Sequence, residues 1–430
     1  MATARAGAFE RVMEGVAAWL ERTIVPPLAK IGNQRYFVAL RAGLTRTIPL
    51  IIVGSIPLIL ANLPVASWAK AMEPYNAPLM VLFNMSFGFL GLFVAVSIGA
   101  ELARMYELEI TTASIVTVAC FLITVAPVDL AKGTISIEFF GAKGMFTAFV
   151  VGVVVAEVMR FMRDRGWTIK MPAGVPTAIS SSFAALFPLL VLLAISWLLR
   201  VVIGVELQKI IQAIVSPLVM VSDSLLAVYL VNVICSTLWF VGIHGGSLTI
   251  WGVLYPFLLA NIAANSAAAA AGQPLPHIYT EPFQFTYAMP TGVGITLPLI
   301  LFFWRSKSAR LREVARVAIG PGIFNINEPV TFGMPLIMNP LMFIPFVFGG
   351  SALGAAIGYA ATRLGLARAP YIQVPWTTPA LIQPYLSTGG DFGAVLVQLF
   401  VFIVMAVMWY PFFRVYERRL VEEEQKAEAA

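Results

Sequence analysis

Long apolar stretches without charge constrain this chain more than any other feature of its sequence. Thr47–Leu63 and Phe183–Leu199 are rich in Val, Ile, Leu and Phe and contain no Asp, Glu, Lys or Arg. Each approaches the roughly 20 apolar residues that a helix needs to cross a bilayer. Of the 430 residues 59% are hydrophobic and only 12% are charged, far fewer than a soluble domain carries. Because the runs are continuous and lipid admits only helices or closed barrels, they predict an all-α polytopic membrane protein.

The runs and the basic residues together predict a topology with about ten transmembrane helices. The spans lie near 40–63, 79–104, 110–127, 145–163, 178–201, 222–243, 248–262, 292–304, 336–361 and 391–413. If the N-terminus is cytoplasmic, the main basic clusters all fall at that face: Arg5 to Arg46, Arg160 to Lys170, Arg305 to Arg316 and Arg414 to Lys426. This positive-inside bias favours two cytoplasmic termini. It also accounts for the net charge of +6 without nucleic acid as a partner.

The chain divides into segments of different character. Residues 1–36 hold an amphipathic helix over Ala8–Ile31, which lies at the cytoplasmic interface and lacks the features of a removable signal peptide. Residues 37–204 form a first membrane half, which we assign to scaffold and dimerisation. Residues 205–221 are an amphipathic connector with apolar positions at helical spacing. Residues 222–415 form a second half, assigned to substrate binding and transport.

Two shorter features complete this organisation. Thr134-Ile-Ser-Ile-Glu138, followed by a glycine-bounded turn, predicts a small extracellular hairpin. Residues 416–430 are polar and predict a short, loose cytoplasmic tail.

The second half contains two broken apolar segments, near 242–281 and 320–335, where Gly, Pro and polar residues interrupt the runs. Irregular backbone at membrane depth is tolerated only where protein buries it or where it lines a cavity. Interrupted segments of this kind point to the binding site of a transporter. We therefore place the site in the second half.

Glu328 is the strongest candidate for chemistry. It lies in Asn325-Ile-Asn-Glu-Pro329, within an otherwise apolar segment, where an ionisable residue is costly and a candidate for function. Its carboxylate could accept hydrogen bonds from sugar hydroxyls, with Asn325 and Asn327 as amide donors and acceptors. The structural alternative is a carboxylate at the cytoplasmic surface that caps a broken helix.

His244 is the second candidate. It is flanked by Gly242, Gly245 and Gly246, which permit close approach of the backbone to a ligand. The nearby Trp239 offers an aromatic face for a sugar ring. A buried histidine with structural hydrogen bonds is the plain alternative.

Asn232 is a weaker substrate-binding candidate. It lies in an apolar span and could equally bridge two helices by a hydrogen bond.

Several kinds of chemistry find no support in the sequence. It contains no GxxxxGK[ST] run, so nothing indicates a built-in ATPase. It contains no HExxH run, and its two cysteines form no CxxC pair, so we predict neither a metal site nor a cofactor. A self-sufficient membrane enzyme is therefore the weakest interpretation.

At the two broken segments the chain resembles the IIC permeases of the lactose/cellobiose (diacetylchitobiose) type of bacterial sugar phosphotransferase system. The motifs that carry this resemblance are Gly242-Ile-His-Gly245, Gly322-Ile-Phe-Asn-Ile-Asn-Glu-Pro329, Phe332-Gly333 and Met338-Asn-Pro340. The resemblance covers nearly the whole chain, and the NEP-containing motif is its most specific part.

The resemblance implies a fold and a mode of transport. The implied fold has ten transmembrane helices with two re-entrant hairpins and forms a homodimer through the first half. The implied transport is an elevator-type movement of the second half in the bacterial plasma membrane. Its functional glutamate and histidine map onto Glu328 and His244. In such proteins a separate IIB subunit, supplied by IIA, phosphorylates the sugar from a phosphocysteine. Glu328 would then orient the attacking hydroxyl or accept its proton, and His244 would hold the same end of the sugar.

The sugar and the coupling are the open points. The family pattern implies a β-linked disaccharide such as cellobiose, lactose or diacetylchitobiose. Many members, however, carry a GGSG-like run where this chain has Pro290-Thr-Gly-Val-Gly294. A facilitator or secondary transporter that does not phosphorylate its sugar is the alternative function, and a membrane sensor or scaffold is a third. Sugar uptake with and without phosphorylated IIB separates them.

Overall fold

The structure is a computed structural model. It describes residues 33–62, 66–126, 128–129, 133–169, 183–334, 336–337 and 339–429, together with single positions and pairs within 19–30 and 171–180. Most of the predicted N-terminal amphipathic segment lies outside the described residues. The described chain is predominantly helical, which confirms the predicted all-α class.

Apolar helices make up the first half. They are α1 (Arg35–Asn62), α2 (Ala66–Met72), α3 (Asn76–Ser86), α4 (Leu90–Met105), α5 (Ile110–Val125), α6 (Met145–Asp164) and α7 (Leu186–Trp197), which continues as a π-helical turn (Leu198–Val202). Between α5 and α6, strands β1 (Val128–Asp129) and β2 (Thr134–Ile135) pair antiparallel, so this loop contains a hairpin. Its turn precedes Thr134, whereas the glycine-bounded stretch predicted to be the turn contains a 3-10 helix, Ala142–Gly144.

The predicted connector is a helix, α8 (Leu207–Ser222). It follows the Leu186–Val202 segment at a bend of 87°, as expected if α7 crosses the membrane and α8 lies along its surface. Ile210, Ile214 and Val221 of α8 are exposed.

The second half alternates short helices with irregular backbone. Its helices are α9 (Leu225–Phe240), α10 (Gly245–Leu248), α11 (Tyr255–Ala270), α12 (Glu281–Phe283), α13 (Leu297–Trp304), α14 (Ala309–Ile323), α15 (Glu328–Gly333), α16 (Gly350–Arg363), α17 (Ile382–Ser387) and α18 (Phe392–Ala429). π-Helical turns extend several of them, at Ile250–Leu254, Gln284–Ala288 and Pro345–Gly349.

Within the described residues, five helices are long and apolar enough to span a bilayer, or six if the bent α7–α8 pair counts as one span. Every predicted span contains helix. The spans predicted near 292–304 and 336–361, however, are broken by irregular backbone before α13 and before α16. The count of continuous helices that are long and apolar enough to span a bilayer is therefore lower than the number of apolar runs in the sequence.

Two apolar cores organise the chain. One is built by buried residues between Ala39 and Leu192, together with four residues of α11 and with Tyr371, Ile372 and Val374, which follow α16. The other is built by residues between Val228 and Leu420. Helix α11 contributes to both, because its Leu259 packs in the first core while Leu258 packs in the second. Helix α11 therefore forms the main contact between the two halves.

Two asparagines of α11 hold extended backbone at membrane depth. The Asn261 side chain donates to the Tyr279 carbonyl at 2.8 Å. Asn265 donates to the carbonyls of His277 and Pro370, each at 2.8 Å, and accepts from the His277 N–H. Backbone groups without helical partners need such bonds in a membrane. The asparagines thus fix two segments that lead inwards, 274–280 and 369–374.

The second of these segments is an excursion that the sequence analysis did not predict. Residues 366–391 leave α16, reach Trp376 and return through α17 to α18. The two ends meet where the Arg368 N–H donates to the Asp391 carboxylate at 2.6 Å. The sequence prediction had placed its second break only near 320–335.

The prediction of a loose tail is wrong, because α18 continues as a helix through Ala429. Glu417 accepts hydrogen bonds from the Ser306 hydroxyl and the Lys307 N–H, at 2.7 and 2.8 Å. Glu424 accepts from the Ser308 hydroxyl at 2.6 Å and from two N–H groups of the first turn of α14. These bonds anchor the polar extension, whose composition alone resembles that of a solvated tail.

Candidate functional site

Where the broken segments meet they enclose a cavity of about 340 Å³. Its lining comes from five parts of the second half: Trp239, His244, Trp251, Phe285, Met289, Gly292, Val293, Asn325, Ile326, Asn327, Glu328 and Trp376. The volume lies within the roughly 300–1,000 Å³ of small-molecule pockets. Four of the predicted site residues besides Glu328 line it: His244, Asn325, Asn327 and Trp239.

Rings form a continuous arc around this cavity. The centroids of Trp239 and His244 are 4.3 Å apart, and those of His244 and Trp251 are 6.2 Å apart. Phe285 follows at 6.2 Å from Trp251, and Trp376 at 5.9 Å from Phe285. Such an arc offers flat apolar faces to a ligand whose rings also have apolar faces.

His244 caps the short helix α10 with its side chain. Its Nδ1 accepts the Ser247 N–H at 3.1 Å and lies 2.9 Å from the Ser247 hydroxyl oxygen. Because Nδ1 is an acceptor, the neutral imidazole carries its proton on Nε2. His244 therefore offers an Nε2–H donor to a ligand in the cavity.

The two glycines after His244 are required by close packing. A Cβ atom on Gly245 would lie 2.0 Å from the Cys235 carbonyl oxygen. A Cβ atom on Gly246 would lie 2.0 Å from the ring of Trp251. The glycines let α10 pack directly against α9 and the arc, which holds the imidazole in place.

Glu328 is the carboxylate of the site. It is the first residue of α15, followed by Pro329, and its side chain is exposed at the cavity. Within the described residues it takes part in no hydrogen bond or ion pair. The carboxylate is therefore available to accept hydrogen bonds from a ligand.

Asn325 and Asn327 line the cavity, but their side-chain amides form hydrogen bonds with the backbone around it. Asn325 Oδ1 accepts the Thr291 N–H at 2.6 Å, while its Nδ2 donates to the carbonyls of Trp376 and Thr378 at 2.6 and 3.0 Å. Asn327 Nδ2 donates to the Val293 carbonyl at 2.6 Å. These bonds tie the tip before α15 to two other broken segments, so both amides position the cavity walls.

Asn232 lies away from this cavity, and its side chain is fully buried. Its Oδ1 accepts from Gln284 Nε2 at 2.7 Å, and its own amide donates to the Val228 carbonyl. Asn232 thus bridges α9 to the turn after α12, the structural alternative that the sequence had left open.

The sequence analysis missed Phe285 and Trp376 as cavity residues. Trp376 carried a usable signal, a Trp after Pro375 in an apolar region with four prolines close together. Phe285 carried none, because nothing in Glu281–Phe285 separates it from an ordinary core phenylalanine. Gly292 and Val293, which depart from the family pattern, lie directly in the wall. In the described residues no cluster of His, Cys, Asp or Glu could hold a metal ion.

These features define a membrane-embedded helical protein with a polar and aromatic binding cavity between broken segments. The profile of the family "Phosphotransferase system, EIIC" matches residues 41–350. The chain belongs to this family.

Individual relatives match along nearly their whole length. The chain is 34% identical to the putative permease IIC component YwbA of Bacillus subtilis (strain 168), over 95% of this chain and 97% of the relative. It is 32% identical to the cellobiose-specific EIIC component of Geobacillus stearothermophilus, over 96% and 97%. The crystal structure of the transporter ChbC, the IIC component of the N,N'-diacetylchitobiose-specific phosphotransferase system, matches with a TM-score of 0.84. Identity is 30%, with 95% of this chain and 99% of that chain covered.

Proposed function

We propose that this EIIC protein binds a β-linked disaccharide in the 340 Å³ cavity and delivers it for phosphorylation by a IIB subunit. The observation that carries the proposal is that one cavity combines an arc of rings with two polar groups, the Glu328 carboxylate and the His244 Nε2–H donor. Sugar rings present apolar faces to aromatic side chains and hydroxyls to polar groups, which is the chemistry that this cavity provides. The names of the relatives, cellobiose-specific and diacetylchitobiose-specific, support the same substrate class.

Phosphoryl transfer in this site needs positioning more than covalent help from the chain. A sugar hydroxyl oxygen attacks the phosphorus of the IIB phosphocysteine. The new O–P bond replaces the S–P bond, and the thiolate leaves. Glu328 orients the hydroxyl and accepts its proton, while His244 Nε2–H donates a hydrogen bond to the same end of the sugar.

Transport follows from the two cores. We assign the first half to a scaffold and dimer contact, with about ten spans in all and both termini in the cytoplasm. The second half moves against the scaffold along α11, the helix that both cores share. The observation behind this elevator movement is that most of each half packs in a core of its own, while α11 and residues 371–374 of the second half also pack in the first core.

The IIB subunit docks on the basic segment Arg305–Arg316. Arg305, Lys307 and Arg310 are exposed, and no ion pair within the described residues uses them. Glu417 and Glu424 hold this segment through its Ser and N–H groups, so neither glutamate pairs with the side chains of Arg305, Lys307 or Arg310. A fixed basic surface attracts a phosphorylated partner.

Direct sugar binding tests the proposal. Purified protein in detergent is titrated with tritiated cellobiose, lactose and diacetylchitobiose in a scintillation proximity assay. We expect saturable binding of at least one disaccharide, competed by its unlabelled form and weakened in Glu328→Gln. Glu313→Gln, the same change on an exposed glutamate outside the cavity, serves as the matched control. Absence of saturable binding for the whole panel would overturn the proposed substrate class.

A further inference from the structure

A second carboxyl group lies just behind the wall of the sugar cavity. Glu281 is 5% exposed, and its Oε2 accepts a hydrogen bond from Gln373 Nε2 at 2.6 Å. Gln373 is itself 3% exposed. No Lys, Arg or His of the described residues acts on Glu281. The titratable group that faces it from α11 is the Tyr255 phenol.

The bond joins the two segments that supply two of the five rings of the aromatic arc. Glu281 begins α12, whose π-helical extension places Phe285 in the cavity wall. Gln373 precedes Trp376 by three residues in the inward excursion of the chain. Phe285 and Trp376 are in contact, with centroids 5.9 Å apart. The hydrogen bond therefore links the two segments that carry the pair of rings on one side of the site.

We propose that Glu281 is a positioning residue for sugar binding, which as a neutral carboxylic acid holds Gln373 and thereby fixes Trp376 against Phe285. The inference rests on the proposed function of the cavity. Glu281 does not touch the sugar and acts through the ring of Trp376.

The neutral form follows from the surroundings of the group. An isolated carboxylate taken out of water without a cation costs far more free energy than its protonated form. Like the neutral acid, a glutamine side chain at position 281 can accept the Gln373 Nε2–H bond with its carbonyl oxygen. Alanine cannot, and it would leave the buried Gln373 amide without this acceptor.

The test is disaccharide affinity in matched variants at two pH values. Tritiated cellobiose, lactose and diacetylchitobiose are titrated against the wild type, Glu281→Gln, Glu281→Ala, Gln373→Ala and the double alanine variant. At mildly acidic pH we expect Glu281→Ala and Gln373→Ala each to weaken binding about tenfold, the order expected for one lost buried hydrogen bond. The double variant should be no weaker than either single variant, and Glu281→Gln should bind like the wild type.

The pH dependence separates this role from simple packing. As pH rises, the wild type should lose affinity relative to Glu281→Gln, because only the wild type can place a negative charge behind the ring pair. The other ionisable groups of the site are identical in the two proteins, so the difference between the two profiles belongs to Glu281.

The possible outcomes are distinct. If the wild type binds a disaccharide and either alanine variant binds it equally well, this inference is overturned and the proposed function stands. If the alanine variants do not fold, a Glu281→Gln protein with weakened binding or with an unchanged pH profile overturns it. Failure of the wild type to bind any sugar of the panel overturns both proposals.

Discussion

The indole of Trp239 lies against the imidazole of His244, with their ring centroids 4.3 Å apart. On its other side the imidazole is held by the Ser247 N–H at Nδ1. The Trp239 contact and the Ser247 hydrogen bond thus hold the imidazole in one orientation. Its Nε2–H can donate to a ligand without further ordering of the side chain. Preorganised donors of this kind lose little entropy when a ligand binds.

The first prediction concerns this pair. Trp239→Leu should weaken disaccharide binding about three- to tenfold, because it removes both a stacking face and the ring that holds His244. Trp239→Phe, which keeps a ring, should lose less. Trp304→Leu is the control, since Trp304 is exposed outside the cavity. Equal affinity of Trp239→Leu and the wild type would contradict the role of the arc.

Glu328→Gln separates a proton acceptor from a hydrogen-bond acceptor. We expect sugar phosphorylation to fall by about 100-fold or more, as for loss of a general base, while the thermal unfolding midpoint stays unchanged. If Glu328 is the base, binding should survive better than phosphorylation; if it only accepts a hydrogen bond, both should fall together. Full activity of Glu328→Gln would refute the site assignment.

Asn325 should contribute to stability as well as to the site. In Asn325→Asp a carboxylate would face the carbonyls of Trp376 and Thr378, to which the amide now donates. We expect a loss of about 2–4 kcal/mol in the free energy of unfolding, together with weaker sugar binding. Thermal unfolding in detergent measures the first effect. Asn33→Asp, at an exposed position outside the predicted spans, should change neither. An unaltered unfolding midpoint for Asn325→Asp would show that the hydrogen bonds of Asn325 do not hold the loop of Trp376 and Thr378 in place.

Glu109 should make the stability of α5 dependent on pH. Its side chain accepts the N–H groups of Thr111 and Thr112 at 3.0 and 2.5 Å and so caps this helix. The hydrogen bond to Thr112 lowers the pKa of Glu109. Because the folded pKa is below the unfolded value of about 4.3, the stabilisation is full above about pH 5 and is lost as pH falls through the folded pKa.

The expected contribution of this cap is about 0.5–1 kcal/mol, typical of a capping side chain. Glu109→Ala should therefore unfold at a lower temperature than the wild type at pH 7, and the gap should close in acid. Glu107→Gln is the nearby control. A gap that persists at the lowest pH would mean that the carboxylate is not the source of the effect.

The basic segment should determine the encounter with IIB. Arg310→Glu should raise the KM for phosphorylated IIB about tenfold at low ionic strength and much less at high salt. Lys143→Glu, near the hairpin, is the matched control. A salt-independent KM that is the same for Arg310→Glu and the wild type would show that docking occurs elsewhere.

The sequence predicted the class and much of the site for clear physical reasons. Apolar runs predict spans, and a carboxylate in an apolar segment is costly enough to indicate function, which identified Glu328. The glycines around His244 gave a second signal, and the structure shows that they permit close packing. Local signals of this kind can be read without the fold.

What the sequence could not predict depends on contacts between distant segments. Trp376 reaches the cavity because Asn325 and Glu281, from other parts of the chain, hold its loop by hydrogen bonds to the Trp376 carbonyl and to Gln373. The polar end of α18 is helical because Glu424 finds partners at the start of α14. Asn232 resembled a ligand residue, yet its partner is Gln284. Neither composition nor spacing specifies such pairs.

The central claim is that this chain carries a disaccharide across the membrane for phosphorylation by IIB. The most direct measurement is uptake of labelled disaccharides into proteoliposomes, with and without phosphorylated IIB inside. We predict that sugar phosphate accumulates only when phosphorylated IIB is present. Unmodified sugar that equilibrates regardless of IIB would contradict the claim and indicate a facilitator instead.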